Sequence, residues 1–220
     1  MSGRKKEMNI KRYVGGMLES NGYIIYNEAG GDCFIIDPGY RPRRFVDFAE
    51  KNRLHCRGIL ITHHHYDHTG GAAASGEALG CPVYIHKNDI EYYKKGRAEA
   101  VKDGDEFTLA LGNGGSGREK IKVIGTPGHT RGGVCYYLAG HRIVFTGDTI
   151  FNVDLGRTDF EGGSQVQMES TVRNIVSRWS DDTVIYPGHG GSCSMGYVRK
   201  ENTEYIRIME TSSDETQGEK

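Results

Sequence analysis

One run of ligand-type side chains constrains this chain more than any other feature of its sequence. A strand-like apolar run, residues 58–61, is followed by a polar one, residues 62–68, which reads Thr-His-His-His-Tyr-Asp-His. In an extended segment alternate side chains share a face, so His63 and His65 converge, with Asp67 next in the alternation. The bend into the small-residue stretch that follows turns His68 in another direction. The run therefore predicts ligands for two adjacent metal ions.

Three further segments repeat the pattern of a strand-like run that ends at a glycine and a ligand-type residue. Their ligand-type residues are His129, Asp148 and His189. A lone histidine would usually be a packing or surface residue, and we expect such a structural role for His64. Seven ligand-type residues at strand ends, by contrast, indicate a metal centre.

The remaining pattern predicts a mixed α and β chain. β-Branched or aromatic runs predict strands at residues 23–26, 33–36, 58–61, 83–85, 134–137 and 143–145. Helices are expected at residues 43–51, 71–79, 165–179 and around 197–209, with Ser164 capping the third. Early hairpin-like strands, followed by strands that alternate with helices, fit sheets covered by outer helices. The glycine-rich residues 111–117 predict a hairpin loop, with a mobile lid as the alternative.

Length and charge narrow the function classes. We expect one domain over residues 1–210 and a polar C-terminal tail over residues 211–220. A net charge of -1 argues against the basic surface that nucleic acid requires. With a mean hydropathy of -0.57 and no apolar run of about 20 residues, we expect no membrane partner and a cytoplasmic location. Five cysteines, none in a CxxC pair, favour reduced thiols.

With these motifs the sequence resembles the metallo-β-lactamase superfamily and, within it, the glyoxalase II-like (hydroxyacylglutathione hydrolase-like) branch in its short form. The resemblance runs from about Tyr23 to His189 and beyond. It implies an α+β fold of the αββα type, in which two mixed β-sheets pack face to face with helices outside.

The resemblance also implies a role for each ligand-type residue. One metal ion is assigned to His63, His65 and His129, the other to Asp67, His68 and His189, and Asp148 is the bridge between them. Asp67 and Asp148 are the expected catalytic residues. Asp37 matches a further family motif and is expected to orient a ligand histidine, with a simple turn before Pro38 as the alternative. The expected cofactors are two zinc ions per chain, with iron or manganese as alternatives.

Such a centre predicts a metal-dependent hydrolase with a small-molecule substrate, and the resemblance implies a small acyl thioester. Two divalent ions about 3.5–4 Å apart hold a bridging water and lower its pKa from about 15.7 toward about 7, which supplies hydroxide. An iron-dependent persulfide dioxygenase of the same fold is the enzymatic alternative. The non-enzymatic alternative is a metal-stabilised binding module.

A second motif indicates where the substrate binds. Residues 155–164 resemble the GRTD segment of short glyoxalase II-like proteins. Arg157 is the candidate for receiving a substrate carboxylate, since a guanidinium binds such groups bidentately. The alternative is an ion pair between Arg157 and Asp159. Only 31 residues follow His189, whereas full-length glyoxalase II enzymes carry a helical region there that helps hold glutathione. We therefore expect an open pocket that accepts thioesters of varied thiols.

Overall fold

The structure is a computed structural model that describes residues 8–111 and 117–215. Within these residues the strands form two sheets of six. The first sheet contains, in spatial order, β1 (Asn9–Gly15), β2 (Ser20–Tyr26), β3 (Asp32–Ile36), β4 (His55–Leu60), β5 (Val83–His86) and β6 (Glu99–Val101). Pairing is antiparallel from β1 to β3 and parallel from β3 to β6, so the sheet is mixed.

The second sheet is also mixed. Its strands are β7 (Glu106–Leu111), β8 (Gly117–Gly125), β9 (Val134–Leu138), β10 (Ile143–Gly147), β11 (Val184–Pro187) and β12 (Cys193–Ser194), in this spatial order. Only β10 and β11 pair in parallel, with the other neighbours antiparallel. The six predicted strands are all present. Strands β8 and β11 contain the strand-like runs before His129 and His189, whereas β1, β6, β7 and β12 were not predicted.

Six helices are described: α1 (Pro42–Lys51), α2 (Tyr66–Thr69), α3 (Ala72–Leu79), α4 (Gln165–Asn174), α5 (Met195–Glu201) and α6 (Thr203–Glu215). Ser164 caps α4 as predicted, with its hydroxyl accepting a hydrogen bond from the Gln167 amide. The predicted helix over residues 165–179 is shorter than expected, because α4 ends at Asn174 and a separate 3₁₀ turn follows at Val176–Arg178.

Three apolar clusters stack the elements into layers. The central cluster joins Tyr23 and Phe34 of the first sheet to Tyr136 and Phe145 of the second. A second cluster packs α1 and α3 on the outer face of the first sheet, and a third packs α4, α5 and α6 on the outer face of the second. Burying both faces of each sheet in this way confirms the predicted αββα sandwich.

The C-terminal helical region differs from the single helix predicted around residues 197–209. The fully buried Asn202 divides it into α5 and α6, and its side-chain amide donates to the carbonyl oxygens of Phe151 and Asp154 at 3.1 and 2.8 Å. The break thus ties the loop after β10 to the helical layer. Helix α6 continues to Glu215, beyond residue 211, where the tail was expected to begin.

The predicted glycine-rich loop lies mostly outside the described residues, at 112–116. The strands on either side of it form an antiparallel pair in which Leu111 faces Gly117. Among the described helices, none combines the length and apolar character that a membrane crossing requires.

Candidate metal centre

The structure brings all seven predicted ligands together where strands of both sheets end. The first four lie between β4 and the end of α2, and His65 is the residue that precedes α2. His129 lies in the loop between β8 and β9, whereas Asp148 and His189 follow β10 and β11. Because these loops leave the sandwich at the same end, residues up to 126 positions apart in sequence (63 to 189) meet in one cluster.

Three imidazoles form the first part of the cluster, the three-histidine group of His63, His65 and His129. One ring nitrogen of each lies within 4.8 Å of the others. His129 Nε2 and His65 Nδ1 are 2.9 Å apart. His63 and His129 are buried at 2% and 5% exposure. This is the convergence of alternate residues that the extended segment predicted, completed by a ring from the opposite sheet.

The second part is the aspartate-histidine group of Asp67, His68 and His189. His189 Nε2 lies 3.2 Å from Asp67 Oδ2, and His68 Nε2 lies 3.4 Å from the same oxygen. The two Nε2 atoms are 3.4 Å apart. The turn into α2 brings His68 Nε2 to Asp67 and His189, while the His68 ring remains beside that of His63, with ring centres 4.2 Å apart.

Asp148 lies between the two groups. Its Oδ1 is 3.3 Å from His68 Nε2, while its Oδ2 is 3.5 Å from His129 Nε2 and 3.4 Å from His189 Nε2. Asp148 Oδ2 is also 4.0 Å from His63 Nε2. One carboxylate therefore faces members of both groups, which is the position that a bridging ligand must occupy.

Gly188 allows the loop after β11 to pass close to Asp148 and His68. A side chain at Gly188 would place its Cβ 2.1 Å from Asp148 Oδ1 and 2.7 Å from His68 Cε1. Contacts this short are excluded, so only glycine allows the β11 loop to pass so close to the ligands.

The hydrogen bonds behind the ligands fix which ring nitrogens face inward. His129 Nδ1 donates to the Arg157 carbonyl at 2.6 Å, His189 Nδ1 to the Leu18 carbonyl at 2.9 Å, and His68 Nδ1 to Asp37 Oδ2 at 2.9 Å. Carbonyl and carboxylate oxygens only accept, so the proton is on Nδ1 in each case. The Nε2 lone pair of the neutral ring then points into the centre, which is the arrangement of a metal-binding histidine.

Two buried atoms of the centre have no hydrogen-bond partner among the described residues: His63 Nε2 and Asp148 Oδ1. An unsatisfied buried polar atom is costly, and most such atoms have a partner. Here both belong to a cluster of inward-facing lone pairs and carboxylate oxygens. This chemistry fits divalent metal ions, which accept electron pairs from all of these atoms at once.

The two groups differ in their affinity for protons. Burial, reinforced by the neighbouring rings, holds the pKa of His63 well below its ordinary value and lowers that of His65 to about 4. Burial also opposes protonation of His189, but Asp148 and Asp67 outweigh it and raise its pKa to about 9. Asp148 and Asp37 likewise raise the pKa of His68 despite its burial. The three-histidine group is thus neutral, while the aspartate-histidine group attracts positive charge.

Asp37 supports the centre from behind. Its Oδ1 accepts the Thr62 amide at 2.8 Å, and its Oδ2 accepts the Thr62 hydroxyl at 2.5 Å as well as His68 Nδ1. The Thr62 hydroxyl is also 3.1 Å from His63 Nδ1. Asp37 is 3% exposed and has a φ of 47°, a left-handed conformation that aspartate tolerates better than most residues. It therefore contacts a ligand histidine directly and another through Thr62.

Arg157, the predicted substrate contact, has an exposed side chain that already has a partner. Its guanidinium donates two hydrogen bonds to Asp159, at 2.7 and 2.6 Å, and lies 3.9 Å from the centre of the Phe160 ring. This ion pair is the alternative that the sequence offered. Phe160 in turn packs edge-on against His65, with the ring centres 5.6 Å apart. The segment consequently lines the mouth of the centre beside the three-histidine group.

Sequence reasoning missed Asp89. This residue is fully buried and hydrogen-bonds to the loops that carry His65 and His129. Its signal was available, because Asp89 follows the predicted strand at 83–85 in the same way that the other site residues follow theirs. His64 turns its ring away from the cluster, to stack on Tyr92 with ring centres 4.5 Å apart.

Comparisons with known proteins agree with this geometry. A family model described as the metallo-beta-lactamase superfamily matches residues 15–192. An uncharacterized protein of Mycobacterium leprae, ML0493, is 34% identical over 89% of this chain and 97% of its own length. A hydroxyacylglutathione hydrolase of Bdellovibrio bacteriovorus is 32% identical over 88% of this chain and 69% of its own length.

Solved structures show the same likeness. ETHE1 from Myxococcus xanthus superposes with a TM-score of 0.77 at 26% identity, over 92% of this chain and 90% of that one. TTHA1623 in a di-iron-bound form gives a TM-score of 0.75 at 26% identity, over 88% of this chain and 99% of that one. Fold, ligand cluster and family match together show that this chain belongs to the metallo-β-lactamase superfamily.

Proposed function

We propose that this protein is a metal-dependent hydrolase that cleaves small acyl thioesters with two zinc ions. The three-histidine group would hold one ion and the aspartate-histidine group the other, with Asp148 facing both groups. The observation that carries the proposal is the pair of unpartnered buried atoms, His63 Nε2 and Asp148 Oδ1, at the point where the two groups meet. Cations held by the two groups would accept electron pairs from these atoms.

Zinc is favoured by the donors themselves. The set consists of imidazole nitrogens and carboxylate oxygens without a thiolate, and zinc binds such sets readily. The di-iron form of TTHA1623 supports iron as the second choice. When bound, two divalent ions lower the pKa of a shared water and polarise a substrate carbonyl.

The residues of the chain contribute charge and orientation. Burial favours the protonated form of Asp67, but His189 and His68 outweigh it, and the pKa of Asp67 lies well below its ordinary value. The pKa of Asp148 is lowered as well, again against the effect of burial. Both carboxylates are therefore ionised at neutral pH and offset the charge of two cations. Asp37 and the carbonyl oxygens of Arg157 and Leu18 hold the rings in the orientation that ligation needs.

The substrate class is supported by likeness and by the mouth of the site. The hydroxyacylglutathione hydrolase relative shares 32% identity with the chain, and a thioester suits a metal-hydroxide site because a thiolate leaves without protonation. Phe160 and Tyr66 are 47% and 57% exposed beside the histidines and offer apolar contacts to an acyl group. Arg157 lies over the Phe160 ring, and we propose that it meets a carboxylate of the substrate when Asp159 releases it.

An ETHE1-like dioxygenase is the second candidate, favoured by the likeness to ETHE1 and by the sequence Gly-Arg-Thr-Asp-Phe at residues 156–160. A single iron would leave part of the ligand set without a function. The chain, however, has a complete aspartate-histidine group beside the three-histidine group. This completeness favours the two-metal hydrolase.

The test compares the two chemistries in one preparation. Protein stripped by a chelator is reloaded with zinc and given thioesters of glutathione and of other thiols, with thiol release as the readout. A second sample is loaded with iron and given glutathione persulfide, with oxygen uptake as the readout. We expect two zinc ions per chain and thioester cleavage that is independent of oxygen. Rapid oxygen uptake with negligible cleavage would overturn the assignment.

A further inference from the structure

Asp89 is a fully buried carboxylate that is not among the predicted metal ligands. It lies just after β5, where its amide donates to the His86 carbonyl at 2.9 Å and its carbonyl accepts from Tyr92 at 3.1 Å. A buried charge is stable only when hydrogen bonds replace its lost hydration. The partners of this carboxylate therefore show what the fold uses it for.

The partners belong to the two loops that carry the three-histidine group. Asp89 Oδ2 accepts the backbone amide of His64 at 3.0 Å, and the same oxygen accepts the Thr130 hydroxyl at 2.8 Å. Its Oδ1 accepts the backbone amide of Gly132 at 2.7 Å. His64 lies between two ligands of the group, and Thr130 directly follows the third. One carboxylate thus joins a loop of the first sheet to a loop of the second.

The surroundings of Asp89 are built for this close approach. A side chain at Gly132 would place its Cβ 2.5 Å from Asp89 Oδ1, so glycine is needed for the loop to reach the carboxylate. His64 Nδ1 lies 3.0 Å from Asp89 Oδ2, and the His64 ring stacks on Tyr92. The residue between two ligands is therefore held on the side away from the metal centre.

From these contacts we infer that Asp89 is a positioning residue that sets the separation between His65 and His129. The nitrogens of these rings that face each other are 2.9 Å apart, although the rings come from opposite sheets. The inference rests on the proposed two-metal centre and concerns only its three-histidine half. In the described part of the chain, the side-chain hydrogen bonds of Asp89 all go to residues 64, 130 and 132.

Asp37 provides the matched comparison. Its carboxylate bonds to His68 in the aspartate-histidine group and to Thr62. Residues that orient a ligand from behind commonly change metal affinity by about 10- to 100-fold when they are replaced. Asp89 supports the three-histidine group alone, whereas Asp37 bonds directly to His68 and reaches His63 only through Thr62. Asp89→Asn should therefore weaken only the ion at the three-histidine group, and Asp37→Asn should weaken the ion at the aspartate-histidine group.

The experiment measures zinc affinity by competition with a chromophoric chelator in two backgrounds. In His189→Ala the three-histidine group is intact, and we expect Asp89→Asn to weaken zinc binding at least about tenfold. In His65→Ala the aspartate-histidine group is intact, and we expect Asp89→Asn to change the affinity less than about twofold and Asp37→Asn to weaken it more strongly. Equal effects of Asp89→Asn in both backgrounds, or none in either, would overturn the inference.

Thr130 gives a second, milder test in case Asp89→Asn does not fold. Thr130→Val removes one hydrogen bond to Asp89 and should weaken zinc binding in the His189→Ala background, while Thr130→Ser should restore it. No loss in Thr130→Val, or no recovery in Thr130→Ser, would contradict the inference. The zinc content and thioester cleavage of the unaltered protein test the proposed function separately, so the two failures can be told apart.

Discussion

The three-histidine group and the aspartate-histidine group share one centre but hold charge in opposite ways. In the first, buried imidazoles surround each other and their pKa values fall, to about 4 for His65. In the second, the carboxylates of Asp67 and Asp148 raise the pKa of His189 to about 9 against the effect of burial. The three-histidine group therefore offers neutral donors to a metal ion, whereas the aspartate-histidine group offers the negative charge of carboxylates.

This contrast suggests a division of labour within the proposed mechanism. Neutral imidazoles leave most of the positive charge on a cation, which favours polarisation of a carbonyl. Carboxylates neutralise more of that charge and raise the attraction for a cation at neutral pH. Asp148, which faces both groups, couples the two halves. The predictions below separate the halves, from the change with the largest expected effect to the smallest.

Asp148→Ala should have the largest effect, because it removes the carboxylate that faces both groups. We expect metal content to fall sharply below two ions per chain and thioester cleavage to be lost. Elemental analysis after exhaustive dialysis measures the first, and thiol release the second. Asp47→Ala, at an exposed position on α1, is the control for loss of a carboxylate. Two retained ions in Asp148→Ala would disprove the bridging role.

His189→Ala should disable only the aspartate-histidine half. The three-histidine group keeps its ligands, so we expect about one metal ion to remain while thioester cleavage falls by orders of magnitude. The exposed His55 provides the control variant His55→Ala. If His189→Ala retained full activity with a single ion, one half would be sufficient and the two-metal proposal would fail.

Arg157→Ala should have a smaller effect, on the substrate rather than the metals. If the guanidinium meets a substrate carboxylate, the variant raises KM for acidic thioesters several-fold, with kcat little changed. Asp159→Ala frees the guanidinium from its ion pair and should lower KM for the same substrates. A KM unaffected in both variants would show that the ion pair serves the loop alone.

The pH dependence of the stability of the metal-free protein should show the smallest effect that separates the three-histidine group from the aspartate-histidine group. The pKa of His65 is lowered from 6.5 to about 4, so its contribution to stability is complete above about pH 6.5 and is lost as pH falls toward 4. The pKa of His189 is raised from 6.5 to about 9, so its contribution is complete below about pH 6.5 and is lost as pH rises toward 9.

Replacing each residue by glutamine should reveal these opposite trends in Tm. Relative to the parent, His65→Gln should gain stability as pH falls from about 6.5 to about 4, and His189→Gln should gain it as pH rises from about 6.5 to about 9. Thermal unfolding in the presence of a chelator measures both. Shifts in the same direction for the two variants would contradict the contrast between the halves.

The sequence predicted the layers and the ligands because both depend on local pattern. Apolar runs that end in ligand-type residues mark strand ends whatever the partner strand is. The order of these runs indicated sheets covered by outer helices, and the resemblance to the family implied the αββα sandwich. The sequence did not predict the short strands β6 and β12, which lack a pattern of their own. It also did not predict the break at Asn202, whose side-chain amide donates to carbonyl oxygens about 50 residues away. Asp89 follows a strand-like run as the metal ligands do, but its contacts with the His64 and Gly132 amides and the Thr130 hydroxyl leave no mark in the sequence.

The most direct test of the two-metal account is a zinc titration of the chelator-stripped protein with thioester cleavage measured at each step. The account predicts little activity while the first equivalent binds and a steep rise as the second fills the remaining half, with the maximum near two zinc ions per chain. Full activity at one equivalent would contradict it.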